Sequence, residues 1–419
     1  MLDMRLIRER RDEVAANIAN RHMDIDLDAL LAADEQARDA KTRLDAIRQR
    51  RNEIGKAMQG RLAPEQREPL ILEGRELKEQ EATLDAQYQA AEARRAELQT
   101  QVPNLTHPDS PIGKDDGENV EIRRSAEPPS FDFAPKDHVE LMEALQLIDF
   151  DGGAKVAGQK FYYLKNQAVL LEMALLRLAC DILQEEGFTL FTTPDLARQE
   201  ILSGIGFNPR GDSTQIYNIE NSDLSLVATA EITLGGLMAG ETLDAEQMPL
   251  LMAGISHCFR TEAGSAGRES RGLYRVHQFT KAEMFAFTLP EQSEAMHQRF
   301  VDIEERIYQT LEIPYRVVDI CTGDLGAPAY RKYDLEAWMP GRNRWGEITS
   351  TSNCTDYQSR RLNIRYKERG RKGTKLVHML NGTAIAVSRA MIALIENGQQ
   401  ADGSIRLPKC LGLEDIRPR

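Results

Sequence analysis

The chain has 419 residues, 41% hydrophobic and 28% charged, enough apolar material for a sizeable core beneath a well-solvated surface. Global disorder and a collagen-like repeat are thereby excluded, and at roughly 150 residues per domain two or three domains are expected. A formal charge of −13 excludes a wholesale basic nucleic-acid coat, so a nucleic-acid partner must be met by a local basic face.

Met1–Arg11 carries four arginines and two acids without the roughly 7–15-residue apolar core of a signal peptide. No run of about 18 apolar residues is present, so no membrane span is expected. The five cysteines (Cys180, Cys258, Cys321, Cys354, Cys410) lie far apart with no C-x-x-C pair. That spacing argues against a disulfide framework and against zinc, and fits a reducing, cytoplasmic compartment.

From about residue 27 to 102 glycine and proline are nearly absent. Leu30, Ala33, Ala37, Ala40, Leu44, Ile47, Ile54 and Met58 recur at threes and fours, a seam broken once by Arg51. A breaker with Gly60 and Pro64 follows, and Leu70, Leu77, Leu84, Ala91 and Leu98 then recur at sevens. Two antiparallel helices of about 30–37 residues, each about 45–55 Å long, are expected. Between Arg38 and Arg61 the bases Arg38, Lys41, Arg43, Arg48, Arg50, Arg51, Lys56 and Arg61 face three acids, a local +5. Such a strip is either a solvated helix face or a track for a phosphate backbone.

Residues 1–104 thus form an N-terminal domain and the Pro-, Asp- and Gly-rich stretch 105–135 a linker. Residues 136–419 form a second domain. Its pattern predicts helices over Lys136–Asp149, Asn166–Glu186 and Ala384–Glu396. Short β-prone runs lie between: Phe188–Thr193, Gln215–Ile219, Ser256–Thr261, Tyr274–Phe287, Tyr315–Ile320, Tyr333–Trp338 and Arg344–Ser350. This order predicts an α+β fold, an antiparallel sheet flanked by helices behind a helical hairpin. Neither a P-loop nor a dinucleotide-binding G-x-G-x-x-G is present.

Four segments carry chemistry. Phe259–Phe279 reads strand, glycine-rich loop, strand, with four arginines in or beside the loop. Guanidinium forks hold phosphates, and Phe279 offers a face for a base. Thr229-Ala230-Glu231 lies between two apolar runs. Arg344–Asn353 sets Glu347 three residues from Ser350, a spacing suited to a hard cation such as Mg²⁺. Leu380–Arg389 reads as a glycine turn at Gly382 entering an apolar helix, with Arg389 in its second turn. No Ser-His-Asp or Cys-His set accompanies these segments. His257 and His277, flanking the loop, are read as structural.

Taken in this order behind a long helical hairpin, these segments resemble bacterial and organellar seryl-tRNA synthetases, of class II. The run F-R-T-E-A-G-S-A-G-R-x-x-R-G-L-Y-R-x-H-Q-F at 259–279 is close to that family's second signature. Gly187–Pro194 is similar to the first, which forms a dimer interface, and Asn381–Arg389 to the third. The resemblance implies activation of L-serine with ATP and transfer to tRNA(Ser), with selenocysteine tRNA open as a second acceptor. It implies Arg260, Glu347 and Arg389 as catalytic residues. Thr261, Glu262, Arg271, Val276, Phe279, Ile348, Thr349 and Ser350 join them at ATP. Thr229, Ala230, Glu231, Glu283, Asn381 and Thr383 would hold serine with Arg260, and Glu347 with Ser350 would position Mg²⁺. Arg38, Lys41, Arg43, Arg48, Arg50, Arg51 and Lys56 would meet tRNA, and the enzyme would be a homodimer.

The chain departs from the family's usual pattern at Ile232-Thr233, Arg268-Glu269-Ser270, Ala384, Ser388 and Asn208–Gln215, without touching the named contacts. A carrier-protein ligase would lack the hairpin. A non-catalytic relative would have lost Arg260, Glu262 or Arg389, and a zinc-dependent methanogen-type enzyme would need ligands this chain lacks. A duplicated copy serving resistance or a specialised pathway would keep every site residue, so the sequence leaves that alternative open.

Overall fold

The computed structural model describes residues 1–60, 63–207, 215–263 and 272–418. They divide into two compact units, Met1–Pro103 and Asn104–Arg419.

In the first unit, α1 (Leu27–Met58) and α2 (Pro64–Gln101) lie antiparallel. Asp26 caps α1 by accepting from the Ala29 amide at 2.8 Å, and Pro64 opens α2, where its missing N–H has no bond to forfeit. Leu30, Ala33, Ala37, Ala40, Leu44 and Ile54 are buried, as are Leu84 and Leu98 opposite. Arg51, the break in the apolar seam, is half-buried and donates across the helices to Glu81. A second buried charge, Asp34, accepts from Arg8 and Arg38 at 2.9 Å each, so it is paired rather than stranded.

The second unit is built on an eight-stranded sheet. Its strands are β1 (Val120–Arg124), β2 (Thr189–Thr192), β3 (Leu250–Phe259), β4 (Gln278–Thr288), β5 (Tyr315–Asp319), β6 (Arg331–Met339), β7 (Arg344–Asn353) and β8 (His378–Ala386). Their order across the sheet is β1-β5-β6-β7-β8-β4-β3-β2. Every pair is antiparallel except β2 with β3, so the sheet is mixed at one edge. Helices α3 (Gln167–Glu185), α5 (Ser293–Thr310) and α6 (Val387–Gly398) form the main core with it through Leu171, Leu175, Phe300, Ile307 and Met391. A second core gathers around the short α4 (Ala230–Gly236). Successive β4 side chains alternate between these cores, Met284 and Ala286 to the first, Phe285 and Phe287 to the second.

Four expectations change. The helix expected over 136–149 ends at Ala144; Gln146 takes a left-handed φ of 57°, and Ile148–Asp149 then pairs with Tyr163–Leu164. Residues 215–219 contribute a single bridge, Asn218 to Ser225, rather than a strand. The stretch 105–135 is not merely a connector, because β1 within it pairs with β5 at the sheet edge. Gly382 is no turn but lies inside β8, and α6 begins only at Val387, so Arg389 sits in its first turn. The β-branched Thr383 and Ile385 suit a strand between β7 and β4, and tertiary pairing overrides local helix propensity. Glycine is required at 382 because a Cβ would stand 2.9 Å from Phe300 and 3.0 Å from the Thr351 hydroxyl. Among the described residues no helix is long and apolar enough to cross a membrane.

Candidate active site

A cavity of about 300 Å³ lies where β4, β6, β7, β8, the end of β3 at Arg260 and the first turns of α4 and α6 converge. Strand alternation places Phe279, Lys281 and Glu283 of β4 in its wall at every second residue. From β8 come Asn381 and Thr383, and Thr383 lies opposite Glu283 in register. The Thr383 hydroxyl donates to Glu283 Oε2 at 3.2 Å. Lys281 forms an ion pair with the same carboxylate, and its Nζ donates to Thr229 Oγ1 at 2.7 Å. Thr229 is the N-cap of α4 and accepts from the Glu231 amide at 3.3 Å.

Glu231 Oε1 accepts two amide hydrogen bonds, from Gln358 Nε2 at 2.7 Å and Asn381 Nδ2 at 2.9 Å. Withdrawal from bulk water nevertheless pushes its carboxyl up to about 7, and the nearby Glu283 carboxylate adds to the rise. This end of the cavity therefore presents carboxylates held by a lysine, amides and hydroxyls, an arrangement complementary to a small ammonium ion bearing a hydroxyl.

The other end is cationic. Arg260 follows β3 directly, and its guanidinium lies over the Phe279 ring, 5.4 Å from the centroid. The His277 ring bonds the Arg260 carbonyl at 2.9 Å, which gives that histidine the structural part expected of it. Arg389 pairs with Glu347 Oε1 at 3.0 Å, donates to the Glu347 carbonyl at 3.2 Å and lies 4.7 Å from the Tyr274 ring. Burial alone would raise the Glu347 carboxyl, but Arg389, Lys332 and Arg260 outweigh it and hold it down at about 2. Ile348, Thr349 and Ser350 continue this wall along β7, and Glu262 and Val276 complete it. Glu262 takes a left-handed φ of 52° and meets Arg275 at 3.4 Å.

Two expected side chains fall elsewhere. Ala230 is fully buried in the second core, and Thr261 lines neither this cavity nor its neighbour. Arg271 lies outside the described residues, as do Arg268, Asn208 and Arg61. Two lysines that line the cavity escaped the sequence reading. Lys281 could have been found from strand alternation, which puts it on the same face as Phe279 and Glu283. Lys332 of β6 has no such signal; its Nζ is 3.0 Å from Asp334 Oδ2, and burial pushes Asp334 up to about 7. Among the described residues no group of three or more His, Cys, Asp or Glu is arranged to hold a metal.

A wider opening of about 660 Å³ shares Phe207, Glu231, Arg260, Lys332 and Asn381 with the cavity, and Ile205 and Gly206 also line it. In the helical unit, the cations of α1 are mostly engaged. Arg48 reaches Glu81 and Asp85, Arg50 reaches Glu73, and Arg51 reaches Glu81 across the pair. Arg38, Lys41 and Arg43 pair along their own helix with Asp34, Asp45 and Asp39. Lys56 has no carboxylate partner among the described residues.

Comparison with known proteins agrees with both units. Residues 1–106 match the seryl-tRNA synthetase N-terminal domain, and residues 215–398 match the tRNA synthetase class II core domain of the G, H, P, S and T enzymes. A serine–tRNA ligase of Rubrobacter xylanophilus is 57% identical over 422 residues, covering 100% of this chain and 99% of the relative. A crystal structure of seryl-tRNA synthetase from Pyrococcus horikoshii complexed with ATP superposes with a TM-score of 0.91 at 39% identity, covering 100% of both chains. The cytoplasmic serine–tRNA ligase of Naegleria fowleri in complex with AMP gives 0.87 at 29% identity, covering 100% of this chain and 99% of its own. With its full length matched at such identity, the chain belongs to the seryl-tRNA synthetases.

Proposed function

We propose that the cavity holds ATP against its arginine-rich wall and L-serine against its carboxylate-rich wall, so that the family's two-step reaction proceeds here. In the first step a serine carboxylate oxygen attacks the α-phosphorus of ATP. The bond from that phosphorus to the bridging oxygen breaks, and pyrophosphate leaves with the electron pair. The attacking carboxylate is ionised at neutral pH, so no general base or protein nucleophile is needed. What the protein must supply is orientation of two anions and neutralisation of developing charge.

Arg260 is the residue suited to both, lying between the two ends beside Phe279, which stacks the adenine, while Glu262 meets the adenine amino group. Arg389 takes the γ-phosphate side. Glu231 and Thr229 accept the serine ammonium, and Glu283 with Thr383 surrounds the hydroxyl. Ionised Glu347 and the Ser350 hydroxyl fit a hard cation shared with phosphates, the usual setting for Mg²⁺, and would hold it there. When bound, Mg²⁺ supplies neutralisation of the triphosphate. In the second step the 3′-terminal ribose hydroxyl of tRNA(Ser) attacks the acyl carbon and AMP leaves. The wider opening leads to that carbon.

The observation that carries this reading is the polarity of one small cavity, with Glu347 held at about 2 and Glu231 raised to about 7. Pyrophosphate exchange with serine, threonine, alanine and cysteine tests it; exchange that does not favour serine refutes it.

Two further parts of the proposal concern assembly. A homodimer is supported by β2, an edge strand with Leu190 exposed, beside exposed Val169, Leu170 and Met173 on α3 and Tyr163. The helical arm is proposed to read tRNA by backbone and shape, its surface ion pairs being weak enough to exchange for phosphate. All five cysteines are free thiols, which supports a reducing, cytoplasmic setting.

A further inference from the structure

The second unit of this acidic chain carries a strongly one-signed segment. Residues 360–375 carry eight basic side chains against the single acid Glu368, a net +7 within a chain of −13. The strand Arg365–Lys367 pairs antiparallel with Lys375–Leu376 and parallel with Thr242–Asp244, forming a small separate sheet. Tyr366 and Val377 are buried in the second core and anchor it, whereas residues 369–375 are all exposed. Gly370 and Gly373, at φ of 77° and 84°, turn the chain between the strands.

Glu368 is shared by Arg371 and Lys375. Lys367, Arg369 and Lys372 have no ion-pair partner among the described residues. Lys367 stands opposite Asp244 in register, but that carboxylate caps the next turn by accepting from the Glu246 amide. The contrast with α1 is direct, since there nearly every cation already has a carboxylate.

A concentrated positive surface in which, among the described residues, Glu368 engages only Arg371 and Lys375, and Asp356 only Arg360, leaves Lys367, Arg369 and Lys372 to meet a polyanion. Between residues 357 and 376 no large apolar side chain is exposed, so the patch lacks the inserting residues with which membrane-surface segments combine their charge. Its location narrows the choice further. Arg361 Nη1 donates to the Ser203 carbonyl at 2.9 Å, and Leu362 packs over Gly204, both in the helix Gln199–Ile205. That helix ends at Ile205, which with its C-cap Gly206 lines the wide opening. From this juxtaposition we propose that the turn 367–372 is a second tRNA contact, which binds backbone phosphates of the acceptor arm beside the opening. The proposal rests on the reading that tRNA enters there.

The test replaces Lys367, Arg369 and Lys372 together by serine in the full-length chain. Filter binding of a tRNA(Ser) transcript is then measured over a salt series. Losing three phosphate contacts should lower the log–log salt slope by about 2–3 and weaken binding roughly tenfold or more at moderate salt. A K367R/R369K/K372R variant should bind as wild type does. Serine-dependent pyrophosphate exchange should be unchanged in the serine variant, whose substitutions lie outside the cavity. An unaltered Kd and slope would overturn the proposal. So would loss of binding to phosphatidylserine vesicles with tRNA affinity intact, which would make the patch a membrane contact. Since tRNA binding is read without catalysis, failure of serine activation in wild type would refute the active-site reading separately.

Discussion

Glu231→Gln offers the sharpest test of the serine end of the cavity. The wild-type carboxyl titrates near 7 because burial and then Glu283 oppose its charge. If it is the counter-ion of the serine ammonium, only its ionised form binds serine well. With a pKa of about 7, about nine-tenths is ionised at pH 8 and about one-tenth at pH 6. The KM for serine should therefore rise about tenfold from pH 8 to pH 6, while the KM for ATP moves much less. Glutamine keeps an oxygen for the Gln358 and Asn381 amides but loses the charge. A charged hydrogen bond is worth roughly 1.5–3 kcal/mol, so the variant should lose about 10–150-fold in serine affinity and show a flat profile. Pyrophosphate exchange at varied serine and pH measures both effects. A serine KM that is flat in wild type would refute the assignment. An equal slope surviving in the variant would do so too, and would pass the titration to Asp334, which also lies near 7.

The same shift predicts a stability change of opposite sense to the usual carboxylate. The folded pKa lies above the ordinary 4.5, so the contribution is fully present below about 4.5 and is lost as pH rises through 7. The loss is about 3 kcal/mol in order of magnitude, and Glu231→Gln escapes it. Thermal unfolding at pH 8 should show the variant more stable than wild type; a variant that melts lower would sink this account.

Arg260→Ala and Arg389→Ala should each fold yet lower adenylate formation by about 10²–10³, as loss of one oriented donor commonly does; near-normal exchange in either variant would remove it from the site. Replacing residues 38–94 by a short loop should leave seryl-adenylate synthesis intact and impair transfer to tRNA. If charging then proceeds at near wild-type kcat/KM, the arm does not read tRNA. Glu283→Ala should collapse the preference for serine over alanine, which a site built around a hydroxyl can set at about 10⁴. An unchanged ratio of kcat/KM would place the hydroxyl elsewhere.

What the sequence made legible follows from periodicity and punctuation. The hairpin was readable because its seam repeats over many turns and a breaker with Gly60 and Pro64 divides it. Phe279 and Glu283 took their roles through the resemblance, and strand alternation puts both on the one face that the cavity wall contains. The failures are tertiary in origin. Residues 381–386 look like the approach to a helix, yet flanking strands on both sides draw them into the sheet. Strand β1 is short and mostly exposed, so nothing in its own composition marks it; only pairing with β5 does. Lys332 reaches the cavity through the register of β6 against β7, which no local pattern encodes.

Two glutamates in one cavity show how the fold divides its labour. Glu231 and Glu347 are the same side chain with the same ordinary pKa, both drawn out of bulk water, and burial pushes both upward. They part because of their neighbours. Glu347 meets Arg389 directly and feels Lys332 and Arg260, which outweigh the burial, so it stays charged through the whole neutral range and suits a partner that always carries positive charge. Glu231 meets neutral amides and another carboxylate, so its charge is incomplete until a cation arrives. Lys281 cannot fill that place, because its ammonium is already committed to Glu283 and the Thr229 hydroxyl. On the proposed reading, the position opposite Glu231 is left for an ammonium that enters with the substrate, and the arginines at the far end leave the accompanying carboxylate one direction in which to point. Opposed charge at the two ends would then orient an amino acid before any contact with its side chain is made, and the proposal leaves Glu283 with Thr383 to select the side chain itself.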